Sequence, residues 1–157
     1  MARPIRNADP KKILSSTRTF FVSTKTSLGR SLLQVESMAN LLIEVLRSYV
    51  AAKKFIVKEF VVMPDHLHLL LTLDSNMSIE KAVQLVKGGF SYRAKKELGY
   101  LGEIWQRGFS EVRVDSRASD LAHRNYIYQN PVKAGLVDSP EKYPFCSLYL
   151  RAKKRRG

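Results

Sequence analysis

A chain of 157 residues with 45% hydrophobic content can bury a single core, which excludes wholesale disorder. Its 27 Lys and Arg against 14 Asp and Glu leave a net charge of +13, and so basic a balance points to a polyanion. Nucleic acid is the first choice of partner and an anionic membrane a distant second. The single cysteine, Cys146, excludes an intrachain disulfide and a cysteine-based zinc motif, and no run nears the roughly 20 apolar residues of a spanning helix.

Along the chain, residues 1–16 read as a flexible basic lead-in with Pro4 and Pro10. Met1 to Pro10 lacks an apolar signal-peptide core, so a cytoplasmic protein in a reducing compartment is expected. A single domain is expected over 17–150, followed by a mobile basic tail at 151–157. Arg18–Thr24 is β-branched and aromatic, a strand. After a loop holding Gly29, the residues Leu32, Val35, Leu42, Val45, Leu46 and Tyr49 recur at helical intervals, predicting a helix from Ser31 to about Lys53. Phe55–Met63 and His66–Leu73 are two strands joined tightly at Pro64-Asp65, an antiparallel hairpin. Ser78 caps a second helix that runs to about Leu98, weakened in its middle by Gly88-Gly89. Gly99 and Gly102 break the chain before a fourth strand over Trp105–Val114. Ser119 or Asp120 caps a third helix through Gln129, stopped at Asn130-Pro131. The order is β-α-β-β-α-β plus a helix. It predicts an α+β, ferredoxin-like (split β-α-β) antiparallel sheet with two helices on one face and an additional C-terminal helix carrying a tyrosine.

Chemistry enters at Pro64-Asp-His-Leu-His-Leu-Leu-Leu. On a strand, period-two alternation turns His66 and His68 to one face and Leu67, Leu69 and Leu71 to the core. Two convergent imidazoles are half of a divalent-metal site, although an exposed strand face carrying two histidines by chance has the same spacing. The third helix adds Tyr126 and Asn130, four apart and so on one helical face. Together these make a coherent catalytic set: Mg²⁺ or Mn²⁺ held by His66, His68 and Asn130, polarising a phosphodiester, with Tyr126 as the nucleophile. Tyr128 is a competing nucleophile that faces largely away, with a core aromatic as its plainer role. His123, three residues before Tyr126, is read chiefly as a solvated helix residue.

His66-Leu-His68, Tyr126 and Asn130-Pro-Val-Lys-Ala-Gly-Leu-Val resemble the single-tyrosine, His-hydrophobic-His (HUH) transposases, and most of all the REP-associated tyrosine transposases. Thr19-Phe-Phe-Val-Ser-Thr, Met63-Pro-Asp-His-Leu-His, Trp105-Gln-Arg-Gly-Phe and Tyr143-Pro-Phe-Cys-Ser agree, so the resemblance covers Thr17 to Ser147. It implies a nuclease domain that cuts single-stranded DNA beside a hairpin and keeps the 5′ end on tyrosine. It also implies a divalent metal with no small-molecule organic cofactor. Mobile-element relatives commonly work as dimers, which leaves a homodimer open here. They use a glutamine four residues after the tyrosine as third metal ligand. Asn130 holds that place in this chain, with Gln129 as the neighbouring alternative about 100° away around the helix.

Lys87, Arg93, Arg107, Arg113, Arg117, Arg124 and Lys133 are the expected contacts to a DNA backbone, Lys87 foremost because the adjacent glycines permit close approach. Trp105, Phe109 and Tyr92 are candidates to stack unpaired bases, with a core role equally open to Trp105. Two other readings stand beside the transposase. One is a non-catalytic nucleic-acid-binding module on the same sheet platform, and the other is a replication initiator or relaxase of like chemistry.

Overall fold

A computed structural model describes residues 17–156; the lead-in expected at 1–16 lies outside them. Strand β1 (Arg18–Lys25) leads to helix α1 (Glu36–Ala51), the hairpin β2 (Ile56–Met63) and β3 (His66–Leu73), then helix α2 (Ile79–Leu98) and β4 (Ser110–Val114). Helices α3 (Arg117–Lys133) and α4 (Ser147–Arg156) follow. The sheet order is β2-β3-β1-β4 with every neighbouring pair antiparallel, which is the expected split β-α-β arrangement.

Alternation on the strands builds two cores. Phe20 and Val22 of β1, Phe60 and Val62 of β2, and Leu67, Leu69, Leu71 and Leu73 of β3 face α1 and α2. The opposite face carries a smaller cluster of Val61, Met63, Leu70, Val114, Ile127, Tyr143 and Cys146. The second face is therefore not an open platform, since α3 and the segment 143–148 lie over part of it. Cys146 is a buried apolar packing group there, bridged to Val61 on β2.

Several boundaries differ from expectation, each for a local reason. Helix α1 begins at Glu36 rather than Ser31 because the preceding residues bind the hairpin turn: Leu33 N–H donates to the Pro64 carbonyl at 2.9 Å. The fourth strand loses Trp105–Phe109. The Trp105 indole packs edge-on against Phe90 and donates to the Lys87 carbonyl at 3.1 Å, and Gly108 turns the chain at φ 83°. Trp105 thus serves the core and not a base stack. Ser116 caps α3, its hydroxyl accepting from Ser119 N–H at 3.0 Å, and the helix passes through Pro131. Pro131 sits in the last turn, where it forfeits a single donor, and it is buried. Finally, the run expected as a mobile tail is helical as α4, and Tyr126 sits on the penultimate helix instead of the last.

The paired glycines of α2 have separate roles. A methyl group at Gly89 would collide with the Tyr49 ring of α1, whereas one at Gly88 meets nothing within 4 Å. Gly89 therefore lets α1 and α2 approach. Gly88→Ala should stabilise the protein by up to about 1 kcal/mol through helix propensity. Gly89→Ala should lose that gain to overpacking costing about 1–3 kcal/mol. Denaturant melts that rank the two variants equally would contradict this packing.

Candidate metal and tyrosine site

The β1–β3 register sets Ser23 opposite His68 and Lys25 opposite His66, so all four share the α3 side of the sheet. The two imidazoles stand edge to face with ring centroids 4.6 Å apart. His66 Nδ1 donates to Asp65 Oδ1 at 2.7 Å, and His68 Nδ1 is bonded to Ser23 Oγ at 2.6 Å. With both Nδ1 atoms engaged, each ring has only Nε2 left to bind a ligand, the arrangement by which outer groups orient metal-binding histidines. His68 is 6% exposed, and burial followed by the neighbouring His66 pushes its pKa from 6.5 to about 3. It is neutral at pH 7, the form whose lone pair coordinates a cation.

Helix α3 brings the tyrosine over this pair. The Tyr126 ring meets His68 edge-on at 5.3 Å, and Phe21 lies under both, 5.3 Å from His68 and 5.6 Å from Tyr126. Tyr126 remains 43% exposed, so its hydroxyl is open to a substrate. Asn130 is half-buried one turn further along the same face, while Gln129 is exposed on another. Among the described residues no three His, Cys, Asp or Glu side chains converge as a metal-binding group. Two imidazoles with oriented Nε2 atoms fit a divalent ion, whose remaining donors can be a carboxamide, water or substrate. His123 also joins the site side, its ring 4.7 Å from Phe21 and its Nδ1 donating to the Ser119 carbonyl at 2.8 Å.

Tyr128 does not compete for this place. Its hydroxyl donates to Glu59 Oε2 at 2.6 Å on the far side of α3 and accepts from Arg151 at 2.9 Å.

The seven basic candidates divide sharply. Lys133 Nζ lies 5.8 Å over the Tyr126 ring, and Arg107 is exposed on a cleft of about 390 Å³ beside Ser23 and Lys25. These two flank the site. Lys87 instead donates to the carbonyls of Gln106 and Gly108, both at 2.9 Å, and pins the loop that carries Arg107. Arg93 is paired with Glu97 and Glu44 on the α1–α2 side of the sheet, away from the histidines. Arg113 lies over the Phe20 ring, also on that side. Arg124 is bound to Glu59 and Asp120. Arg117 opens α3 and lies nine residues, about 13 Å, from Tyr126. Sequence reasoning missed Ser23, Asp65, Phe21 and Glu59. Asp65, adjacent in sequence to His66, was within reach of the rule that a metal-binding imidazole is held by a carboxylate.

Fold and site together define a ferredoxin-like domain in which a paired-histidine strand faces a tyrosine on a covering helix. The chain belongs to the family described as "Transposase IS200 like", whose profile matches residues 21–130. A protein of Haemophilus influenzae named for the REP-associated tyrosine transposases is 36% identical over 107 residues, covering 59% of this chain and 58% of its own length. The chain thus spans under two thirds of that relative. The REP-associated tyrosine transposase of Escherichia coli is 27% identical over 135 residues, covering 83% of this chain and 76% of its own. A solved REP-associated tyrosine transposase bound to a REP hairpin superposes with a TM-score of 0.66 at 27% identity, covering 84% of this chain and 77% of that one. A Deinococcus radiodurans structure at 21% identity and TM-score 0.56 shares the fold. The resemblance to REP-associated tyrosine transposases expected from the motifs is borne out. No helix of the described residues is long and apolar enough to cross a membrane.

Proposed function

We propose that this protein is a metal-dependent endonuclease and strand transferase that acts on single-stranded DNA beside a hairpin such as a REP palindrome. One observation carries the reading: Tyr126 stands edge-on to His68 at 5.3 Å, above two imidazoles whose Nδ1 atoms are already engaged by Ser23 and Asp65. The metal class would be Mg²⁺ or Mn²⁺, and His66 and His68 would hold it with Asn130 as third donor. When bound it supplies Lewis-acid polarisation of the scissile phosphate.

The chain's own groups do the rest. The Tyr126 hydroxyl attacks phosphorus, a P–O bond forms to tyrosine, and the bond to the 3′ oxygen breaks. The phenolic proton is lost as the departing 3′ oxygen gains one, so the cut strand ends in a 3′ hydroxyl and its 5′ phosphate stays on Tyr126. Attack by another 3′ hydroxyl reverses the exchange and joins a strand, with one phosphodiester consumed for each one made. Phe21 supports the Tyr126 ring from below, and Lys133, 5.8 Å over that ring, places positive charge beside the nucleophile.

DNA affinity rests on exposed charge outside the ion pairs seen among the described residues. Lys25, Arg107 and Lys133 provide it near the site, and α4 adds the exposed Lys153, Lys154 and Arg155. Log affinity for a single strand should fall against log salt with a slope of about −0.7 per phosphate contacted. A nearly salt-independent affinity, measured by fluorescence anisotropy, would remove the electrostatic argument. A non-catalytic module reading RNA or DNA on its sheet face is disfavoured, because α3 covers part of the face such modules leave bare. The direct test is a denaturing gel of protein with end-labelled hairpin DNA. A metal-dependent band at the mass of protein plus the 5′-phosphorylated fragment supports the enzyme, and retention without an adduct supports a binder.

A further inference from the structure

Beneath α3, on the flank away from the histidines, lies a carboxylate with no access to solvent. Glu59 of β2 is 0% exposed and accepts from the hydroxyl of Tyr128 at 2.6 Å, from Ser147 Oγ at 2.6 Å, and from Arg151 at 2.9 and 3.0 Å. Arg124 completes the set as a direct ion pair and holds Asp120 with its other nitrogen, and Asp120 in turn binds Lys58. Burial raises the Glu59 pKa, but hydrogen bonds from Ser147, Tyr128 and Arg151 with the Arg151 charge outweigh it, leaving the carboxyl below the ordinary range and ionised. A buried ionised group with this many partners fixes geometry more than it adds stability.

What it fixes follows from the helix itself. At about 100° per residue, Ile127 and Pro131 form the line along which α3 rests on the sheet, and they are its only buried residues. Tyr126 and Asn130 lie on one flank of that line and Arg124 and Tyr128 on the other, so Tyr126 and Tyr128 are about 160° apart. Two buried residues in line do not by themselves fix the roll of the helix about its axis, so the contacts on its flanks, Phe21 against Tyr126 and Glu59 against Tyr128, set it. Any roll that lifts Tyr128 from Glu59 swings Tyr126 relative to His68.

From this lever we infer that Glu59 is the positioning residue of the tyrosine helix, setting the roll at which Tyr126 and Asn130 face His66 and His68; the inference rests on the tyrosine reading above. Ser147 and Arg151 extend the same setting to α4, so the helix with the exposed lysines is locked in place against the one with the tyrosine.

The test uses full-length protein labelled with 3-fluorotyrosine, the Tyr126 fluorine resonance being assigned by its disappearance in Tyr126→Phe. In Glu59→Gln, and to a lesser degree in Arg151→Gln, this resonance should move towards its solvent-exposed position as contact with Phe21 and His68 loosens. The Tyr49 resonance on the other face should stay where it is. The single-turnover rate of adduct formation at saturating hairpin should fall roughly 10- to 100-fold in Glu59→Gln, as expected for a misplaced nucleophile. If Glu59→Gln does not fold, Arg151→Gln, altered at a more exposed position, carries the same comparison. A folded variant that keeps both the wild-type Tyr126 resonance and the wild-type adduct rate overturns the proposal. A resonance that moves while wild-type protein forms no adduct keeps the positioning role and rejects the tyrosine chemistry instead.

Discussion

Tyr126→Phe should give no covalent protein–DNA adduct and lower hairpin cleavage by at least about 10³-fold, as removal of a nucleophile does. The substitution deletes one oxygen and keeps the ring that packs between Phe21 and His68. With its side chain 43% exposed, the cost in stability should stay within about 0.5 kcal/mol. Binding of hairpin DNA and of Mn²⁺ should be retained. Tyr128→Phe is the informative control because it removes the other hydroxyl of the same helix turn. That hydroxyl is committed to Glu59 and Arg151 and points away from the histidines. Tyr128→Phe should therefore still form the adduct, more slowly if the helix roll loosens. An adduct in Tyr126→Phe but not in Tyr128→Phe would reverse the nucleophile assignment and remove the case for Asn130 with it. If neither change matters, covalent tyrosine chemistry is wrong, and a hydrolytic metal nuclease or a plain binding module becomes the better account.

The parts of this molecule that sequence reveals are those in which chemistry and periodicity coincide over short spans. Alternation placed His66 and His68 on one face and the leucines on the other, and the four-residue interval joined Tyr126 to Asn130; both relations are local and survive folding. The Ser78 cap and the left-handed Gly99 close α2 as read. What escaped depends on pairs far apart in the chain. Ser23 reaches His68 across 45 residues only through the β1–β3 register. Nothing in its local sequence marks Glu59, whose partners arrive from 65 to 92 residues away on two later helices. The basic residues failed for the same reason. A lysine or arginine reveals its charge in sequence but not its counter-ion, and Arg93, Arg124 and Lys87 are all spent on internal partners. The free charge on α4 reads as a mobile tail because the basic run at 151–157 offers no apolar stripe of helical period.

The histidines should separate chemistry from affinity. His66→Ala and His68→Ala are each expected to abolish cleavage while leaving hairpin binding within about threefold of wild type, since the backbone contacts come from Lys and Arg side chains elsewhere. The two differ in what else they cost. His66 is half-buried with Asp65 as its hydrogen-bond partner, so its loss should change stability by less than about 1 kcal/mol. His68 is buried between Phe21 and His66, and truncating it leaves a cavity and an unpaired Ser23 hydroxyl, for about 2–4 kcal/mol. His66→Ala is thus the cleaner variant, and calorimetric titration with Mn²⁺ reads it independently of DNA. Ser23→Ala and Asp65→Ala add a finer measure. Each keeps both imidazoles but frees one Nδ1 from the group that orients it, and each should weaken Mn²⁺ binding by about 10- to 100-fold. Parallel loss of hairpin affinity and cleavage in His66→Ala would mean that the pair serves DNA binding. Unchanged Mn²⁺ affinity in all four variants would place the metal elsewhere, and the engaged Nδ1 atoms would then be no more than hydrogen bonds that satisfy a polar strand face.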